Sequence, residues 1–99
     1  MRYRLRFTPE AKAELERLFR FMAEQDFVAA SHALEVIDSA WGLLEQFPFS
    51  CRKPDESRPL LRELVISFGR SGFVALFEID AEQSVTVLAV RHQREDDYY

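Results

Sequence analysis

Arg62, Arg91, His92, Arg94 and Tyr98 are the side chains in the second half of the chain that could do acid–base or phosphate chemistry. Guanidinium groups offer paired donors that match the oxygens of a phosphodiester. An imidazole titrates near neutrality, so it can both take and give a proton. Brought together, this set would clamp a phosphodiester and place His92 for proton transfer, with Tyr98 or Tyr99 beside it. Left apart, the same residues only keep a sheet end soluble, and composition alone favours that plainer reading. The sequence has no Gly-rich phosphate loop, no nucleophile elbow and no Cys or His pair at metal-binding spacing. Its two histidines, His32 and His92, stand sixty residues apart and do not suggest a metal, and no cofactor is expected. Cys51 is the single cysteine, so no internal disulfide can form, and no partner base is evident for it.

These residues depend on the elements that carry them. The run Val85 to Val90 passes without a turn signal into Arg91-His92-Gln93-Arg94. Val and Thr are stiff at their first side-chain torsion and suit a pleated sheet, so a buried strand ends in these polar residues. Arg2 to Phe7 alternates strictly, with Tyr3, Leu5 and Phe7 on one face and three arginines on a solvated one, which predicts a half-buried strand. Thr8-Pro9-Glu10 reads as a helix start. Ala11, Leu15, Leu18, Phe19 and Met22 recur at helical spacing, with Glu10, Glu14, Lys12 and Arg17 on a solvated face. Asp26 can cap a second helix, in which Ala30, Leu34, Ile37, Trp41 and Leu44 make an inward stripe that should end by Phe47, before Pro48. His32 lies off that stripe and is expected to be exposed.

Phe49 to Pro59 is a loop containing the basic pair Arg52-Lys53. A strand follows from Leu60, then a turn at Gly69-Arg70-Ser71-Gly72. Phe73 to Ile79 is nearly continuous apolar, as in a central strand covered on both faces. Asp80 to Gln83 turns the chain into the last strand. The expected fold is α+β, in the order β-α-α-β-β-β, with a helical hairpin packed on a small, mostly antiparallel sheet. Residues 1–99 form one domain.

Hydrophobic content of 47% with nine Phe supports a packed core. Charged residues make up 30%, and no apolar run approaches the ~20 residues of a membrane span, so no membrane partner is expected. The N-terminus lacks the apolar block of a signal peptide, which points to the cytoplasm. Net charge is −4, and every Lys and Arg falls within residues 2–20 or 52–94. An acidic chain argues against general nucleic-acid binding, which draws its affinity from Lys and Arg on phosphates.

The ordered segments YRLRFTPEA, PLLRELVIS, GFVALFEID and VTVLAVRHQREDDYY resemble the RelE/ParE family of toxins from bacterial toxin–antitoxin operons. The resemblance covers essentially the whole chain, and VRHQREDDY is its most specific part. It implies one of two activities. RelE-like members cleave messenger RNA on the ribosome, whereas ParE-like members poison DNA gyrase by binding. Arg62 matches the family's arginine on the first strand after the helices. The nuclease branch usually has a further arginine in a pattern like Tyr-Arg-Val-Leu-Tyr, where this chain has Phe73-Val74-Ala75-Leu76-Phe77. Without that arginine and those hydroxyls, a phosphate leaving group loses charge stabilisation.

The resemblance therefore implies a ParE-like gyrase inhibitor neutralised by a cognate antitoxin. A RelE-like, ribosome-dependent mRNA endoribonuclease and a non-toxic family member are the alternatives. The implied target-binding residues are Arg62, Arg91, His92, Arg94, Tyr98 and Tyr99. In a nuclease, Arg62, Arg91, His92, Arg94 and Tyr98 would be catalytic. Apolar residues on more than one face of the first helix, Leu18, Phe19, Phe21 and Met22, are implied for the antitoxin.

Overall fold

The computed structural model of the protein describes residues 2–68 and 71–93, and of Ser71 only the backbone. Strand β1 (Arg4–Phe7) leads through Thr8 into helix α1 (Pro9–Gln25), and helix α2 (Phe27–Gln46) follows the single residue Asp26. A 3-10 turn at Pro48–Ser50 opens a loop that ends at β2 (Leu61–Phe68), followed by β3 (Ser71–Ile79) and β4 (Ser84–His92). The sheet order is β1-β4-β3-β2. Strands β2, β3 and β4 are antiparallel neighbours, while β1 runs parallel to β4. This is the expected α+β architecture. No described helix is long and apolar enough to cross a membrane.

Local chemistry starts and stops the helices. The Thr8 hydroxyl accepts the Ala11 N–H at 3.0 Å, and Pro9 follows it with a preset φ. The Asp26 carboxylate accepts the Ala29 N–H at 3.1 Å, while its own N–H donates to the Met22 carbonyl at 2.9 Å. One residue thus ends α1 and begins α2, which forces a tight hairpin.

The hairpin covers one face of the sheet. Phe73, Ala75, Phe77 and Ile79 of β3 meet Val85, Val87 and Val90 of β4 beneath the helices. The α2 contribution differs from the expected stripe: Ala33 is fully buried, whereas Leu34 is 38% exposed. A small side chain at the contact lets α2 approach the sheet closely, and the longer leucine is displaced to the flank. Trp41 is half-buried, edge-on to Phe7 at 5.1 Å. The first strand begins at Arg4 rather than Arg2, because the Tyr3 N–H donates to the Glu45 carbonyl and not to the ladder.

Strand β3 is central but covered on one side only. Val74 and Leu76 are half-buried and Glu78 is exposed, so its apolar continuity does not reflect two covering layers. Strand β4 carries a bulge. Leu76 pairs with Ala89 and Phe77 with Val87, leaving Leu88 as an extra residue. The bulge shifts the side-chain alternation by one, so Val85 and Val87 before it and Val90 after it all face the core.

The turn between β2 and β3 lies partly outside the described residues, but Gly72 is fixed. A Cβ there would fall inside the contact distance of the Ile66 carbonyl oxygen, a backbone atom that cannot swing aside. Gly72→Ala is expected to cost about 1–3 kcal/mol of stability, read as a lower urea midpoint with an unchanged slope.

Candidate functional site

Arg62, at the start of β2, stands opposite Phe77 on the helix side of the sheet. Its Nε donates to the Pro59 carbonyl at 2.8 Å, and Nη1 donates to the Phe49 and Cys51 carbonyls at 2.8 and 2.9 Å. The guanidinium also lies over the Phe49 ring, 5.3 Å from its centroid. Arg62 therefore ties both ends of the connecting loop to the sheet. Alongside it, Arg52 bridges to the edge of β2: the Glu63 N–H donates to the Arg52 carbonyl, and Arg52 Nε donates to Glu63 Oε1, each at 2.9 Å. Glu63 is only 3% exposed, a buried acid that its position in an apolar strand did not announce. Lys53 pairs with Glu56 at 3.5 Å and Arg58 with Glu78 at 3.1 Å. The basic residues of this loop are held by acids and carbonyls.

Arg91 is placed by the bulge. It stands opposite Val74, on the outer side of the sheet, and forms an ion pair with Glu14 of α1. Glu14 also accepts the Val90 N–H at 2.9 Å. Strand β1 stops at Phe7, so the edge of β4 beyond Val87 would lack a neighbour, and α1 supplies one. The Thr8 N–H donates to the Val87 carbonyl at 3.1 Å and its hydroxyl to the Leu88 carbonyl at 3.4 Å. Glu14, expected on a solvated face, is instead the acceptor that closes this edge.

His92 faces the helix side, opposite Phe73, and meets that ring edge-on at 5.5 Å. Phe73 lies 6.2 Å from Phe68, and Phe68 lies 5.7 Å from His32 on α2. The two histidines, distant in sequence, thus flank a pair of phenylalanines at one end of the molecule. Among the described residues no three candidate ligands gather for a metal.

Among the described residues, Arg62, Arg91 and His92 do not converge. Arg62 and Arg91 lie on opposite faces of the sheet with β3 between their strands. His92 shares the face of Arg62, but its partner Phe73 is four residues along β3 from Phe77, or roughly 13 Å. Arg94, Tyr98 and Tyr99 lie outside the described residues. Of the residues implied for antitoxin contact, Leu18 is 5% exposed and Met22 packs against the same core, so neither presents an open face. Phe19 is half-buried, edge-on to Phe27 at 6.2 Å. Phe21 is 60% exposed and stands two turns from Glu14, on the flank of α1 toward β4. Phe27 at 65% and Val28 at 77% exposure add apolar surface that the sequence reading did not single out. Their signal was visible: both directly follow the Asp26 cap and fall off the buried stripe.

Residues 5–97 match the family model described as the ParE toxin of type II toxin–antitoxin system, parDE. Similar solved structures include the chromosomal ParDE TA system from P. aeruginosa, at 22% identity over 91% of this chain and 95% of that one, with a TM-score of 0.74. The toxin–antitoxin complex RelBE2 from Mycobacterium tuberculosis is 26% identical over 93% of this chain and 99% of that one, with a TM-score of 0.60. No curated protein matches the chain.

Glu14→Ala removes an acceptor from Val90 and the charge partner of Arg91. It is expected to cost about 2–4 kcal/mol, and Glu14→Gln less because it keeps an acceptor; urea unfolding of both variants measures this. Burial raises the Cys51 thiol pKa, against smaller opposing effects of the Ser50 hydrogen bond and the Arg62 charge. A raised pKa means less thiolate at any given pH. Alkylation of Cys51 at pH 8 should therefore run slower than that of free cysteine and recover on unfolding in urea.

Proposed function

This chain belongs to the ParE toxin family of type II toxin–antitoxin systems, and on that footing we propose that it inhibits DNA gyrase by binding. In this reading it acts in the cytoplasm and is held inactive by a cognate antitoxin. The observation that carries the choice of binding over hydrolysis is the separation of its described cationic groups, Arg62 and Arg91. Cleaving a phosphodiester needs an acid, a base and a phosphate clamp converging on one point. Here Arg62 is engaged by three loop carbonyls, Arg91 by Glu14, and the two sit on opposite faces of the sheet. The strand between them, Phe73 to Phe77, contributes neither arginine nor hydroxyl.

The proposed target surface is the end of the sheet bearing Arg91 and His92. The antitoxin takes apolar residues of the hairpin, the exposed Phe21, Phe27 and Val28 and the half-buried Phe19. A second reading, ribosome-dependent mRNA cleavage, draws on the 26% identity to RelBE2 and on an imidazole at the sheet end.

Supercoiling by purified gyrase and cleavage of translated mRNA, measured with the same preparation, separate the two. Inhibited supercoiling with gyrase-linked DNA breaks and intact mRNA is the expected result. Cleaved mRNA that is lost in His92→Ala would replace it with the nuclease reading. Inactivity in both assays, with no growth arrest on expression, identifies a non-toxic member.

A further inference from the structure

The far end of α2, roughly 30 Å from the helix turn at Asp26, carries an apolar surface on the connecting loop. Phe47 is 60% exposed, Phe49 50%, Leu60 43% and Leu43 40%. Leu43 and Phe47 are four residues apart on one face of the last turn, where the Phe47 N–H donates to the Leu43 carbonyl at 2.7 Å. Phe49 and Leu60 are brought close from beneath, because the Arg62 guanidinium donates to both the Phe49 and the Pro59 carbonyls. The Phe49 ring is fixed further by Tyr3 at 6.4 Å and by that guanidinium at 5.3 Å. This face is built before any partner arrives, which lowers the ordering cost of binding.

Its charge is balanced. Backbone bonds tie Tyr3 to Glu45, Arg4 to Gln83 and Ile79 to Leu60, so residues 2–7, 43–63 and 78–84 share this end. These segments hold seven basic and seven acidic side chains. The chain has 13 basic and 17 acidic residues, so the remainder, with Lys12, Arg17 and Arg20 of α1 included, keeps six and ten. The whole net charge of −4 therefore lies outside this end. Five ion pairs link the balanced charges, among them Lys53 with Glu56 at 3.5 Å and Arg58 with Glu78 at 3.1 Å.

We propose that this end joins a second copy of the chain about a twofold axis, with Phe47, Phe49 and Leu60 at the centre of the contact. Two copies that meet here bring neutral surfaces together and hold their negative charge at the outer ends. Joining through the remainder would set like net charge against itself. The area also fits. At about 200 Å² for an open aromatic side chain, the four apolar groups offer on the order of 350 Å² per copy. The loop around them is exposed without a break from Arg52 to Leu60, which extends the face toward the roughly 800 Å² per partner of a stable interface. The inference does not depend on which target the protein binds.

Sedimentation of the full chain, from micromolar to near-millimolar concentration, tests it. The wild type should form a dimer in that range. Phe47→Glu/Leu60→Glu should raise the dissociation constant about tenfold or more, and Glu24→Lys at the distant end of α1 should leave it unchanged. Lys53→Glu/Arg58→Glu makes this end net negative, and Asp55→Lys/Glu56→Lys makes it net positive. Each of these should be monomeric alone, and their equimolar mixture should form a heterodimer. All substituted side chains are exposed, and circular dichroism checks that each variant folds. A wild type that stays monomeric overturns the inference, and so does a dimer that survives in folded Phe47→Glu/Leu60→Glu. Charge-reversed forms that still pair with themselves, or a mixture that stays monomeric, overturn it as well. A monomeric wild type whose antitoxin binding is lost in Phe47→Glu/Leu60→Glu gives the face to the antitoxin instead.

Discussion

The carboxylate of Glu14 closes the edge of β4 that β1 leaves open. Strand β1 has four residues and β4 nine, so the sheet runs out of partner strand beyond Val87. An open edge in the interior would strand backbone donors and acceptors at the cost of a lost hydrogen bond each. Thr8 serves the Val87 and Leu88 carbonyls, and Glu14 serves the Val90 N–H while meeting Arg91. Both residues belong to the first turns of α1 or to its cap, so seating α1 and closing the edge are one event. The bulge at Leu88 lies within this patch, and it sets the side of the sheet on which Arg91 and His92 emerge.

A second constraint governs the far end of the sheet. The loop from Phe47 to Leu60 has little core of its own, with Pro48 its buried residue and Cys51 half-buried. Arg62 organises it instead, through three carbonyls and the Phe49 ring. The buried Glu63 draws Arg52 onto the strand edge. A guanidinium used in this way is a structural brace, since its planar fork suits fixed carbonyls as well as it suits phosphate. Arg52, Arg62 and Arg91 are thus spent on internal contacts. Helix α2, by contrast, has no Lys or Arg and exposes Phe27, Val28 and Leu34 beside Glu35 and Asp38.

Much of the architecture was legible because it rests on local rules. Thr8 and Asp26 cap helices through side-chain oxygens reaching backbone amides three residues on, and such contacts depend only on sequence spacing. Period two in β1 and the apolar runs of β3 and β4 likewise identified the strands. The candidate site was less legible. Arg62, Arg91 and His92 were correctly placed on strands, yet a strand does not reveal its neighbours, its face or its register. Glu14 looked like any solvated acid on an amphipathic helix, because its partner is 76 residues away. Leu34 and Ala33 exchanged roles for a related reason: helical spacing tolerates a stripe rotated by one residue, and only packing against the sheet chooses between them.

By itself, the sequence determined the number, kind and order of the elements, the caps that separate the helices, and the charge imbalance that leaves the span from Phe21 to Ser50 acidic. These follow from propensity, periodicity and composition, which act over a few residues. The tertiary structure decided the parallel pairing of β1 with β4, the single covered face of β3, and the meeting of His32 and His92 around Phe68 and Phe73. It also decided that Arg62 and Arg91 part to opposite faces. The reason is the one-residue bulge at Leu88, which reverses the alternation of every side chain after it and leaves no local mark in the run Val85 to Val90.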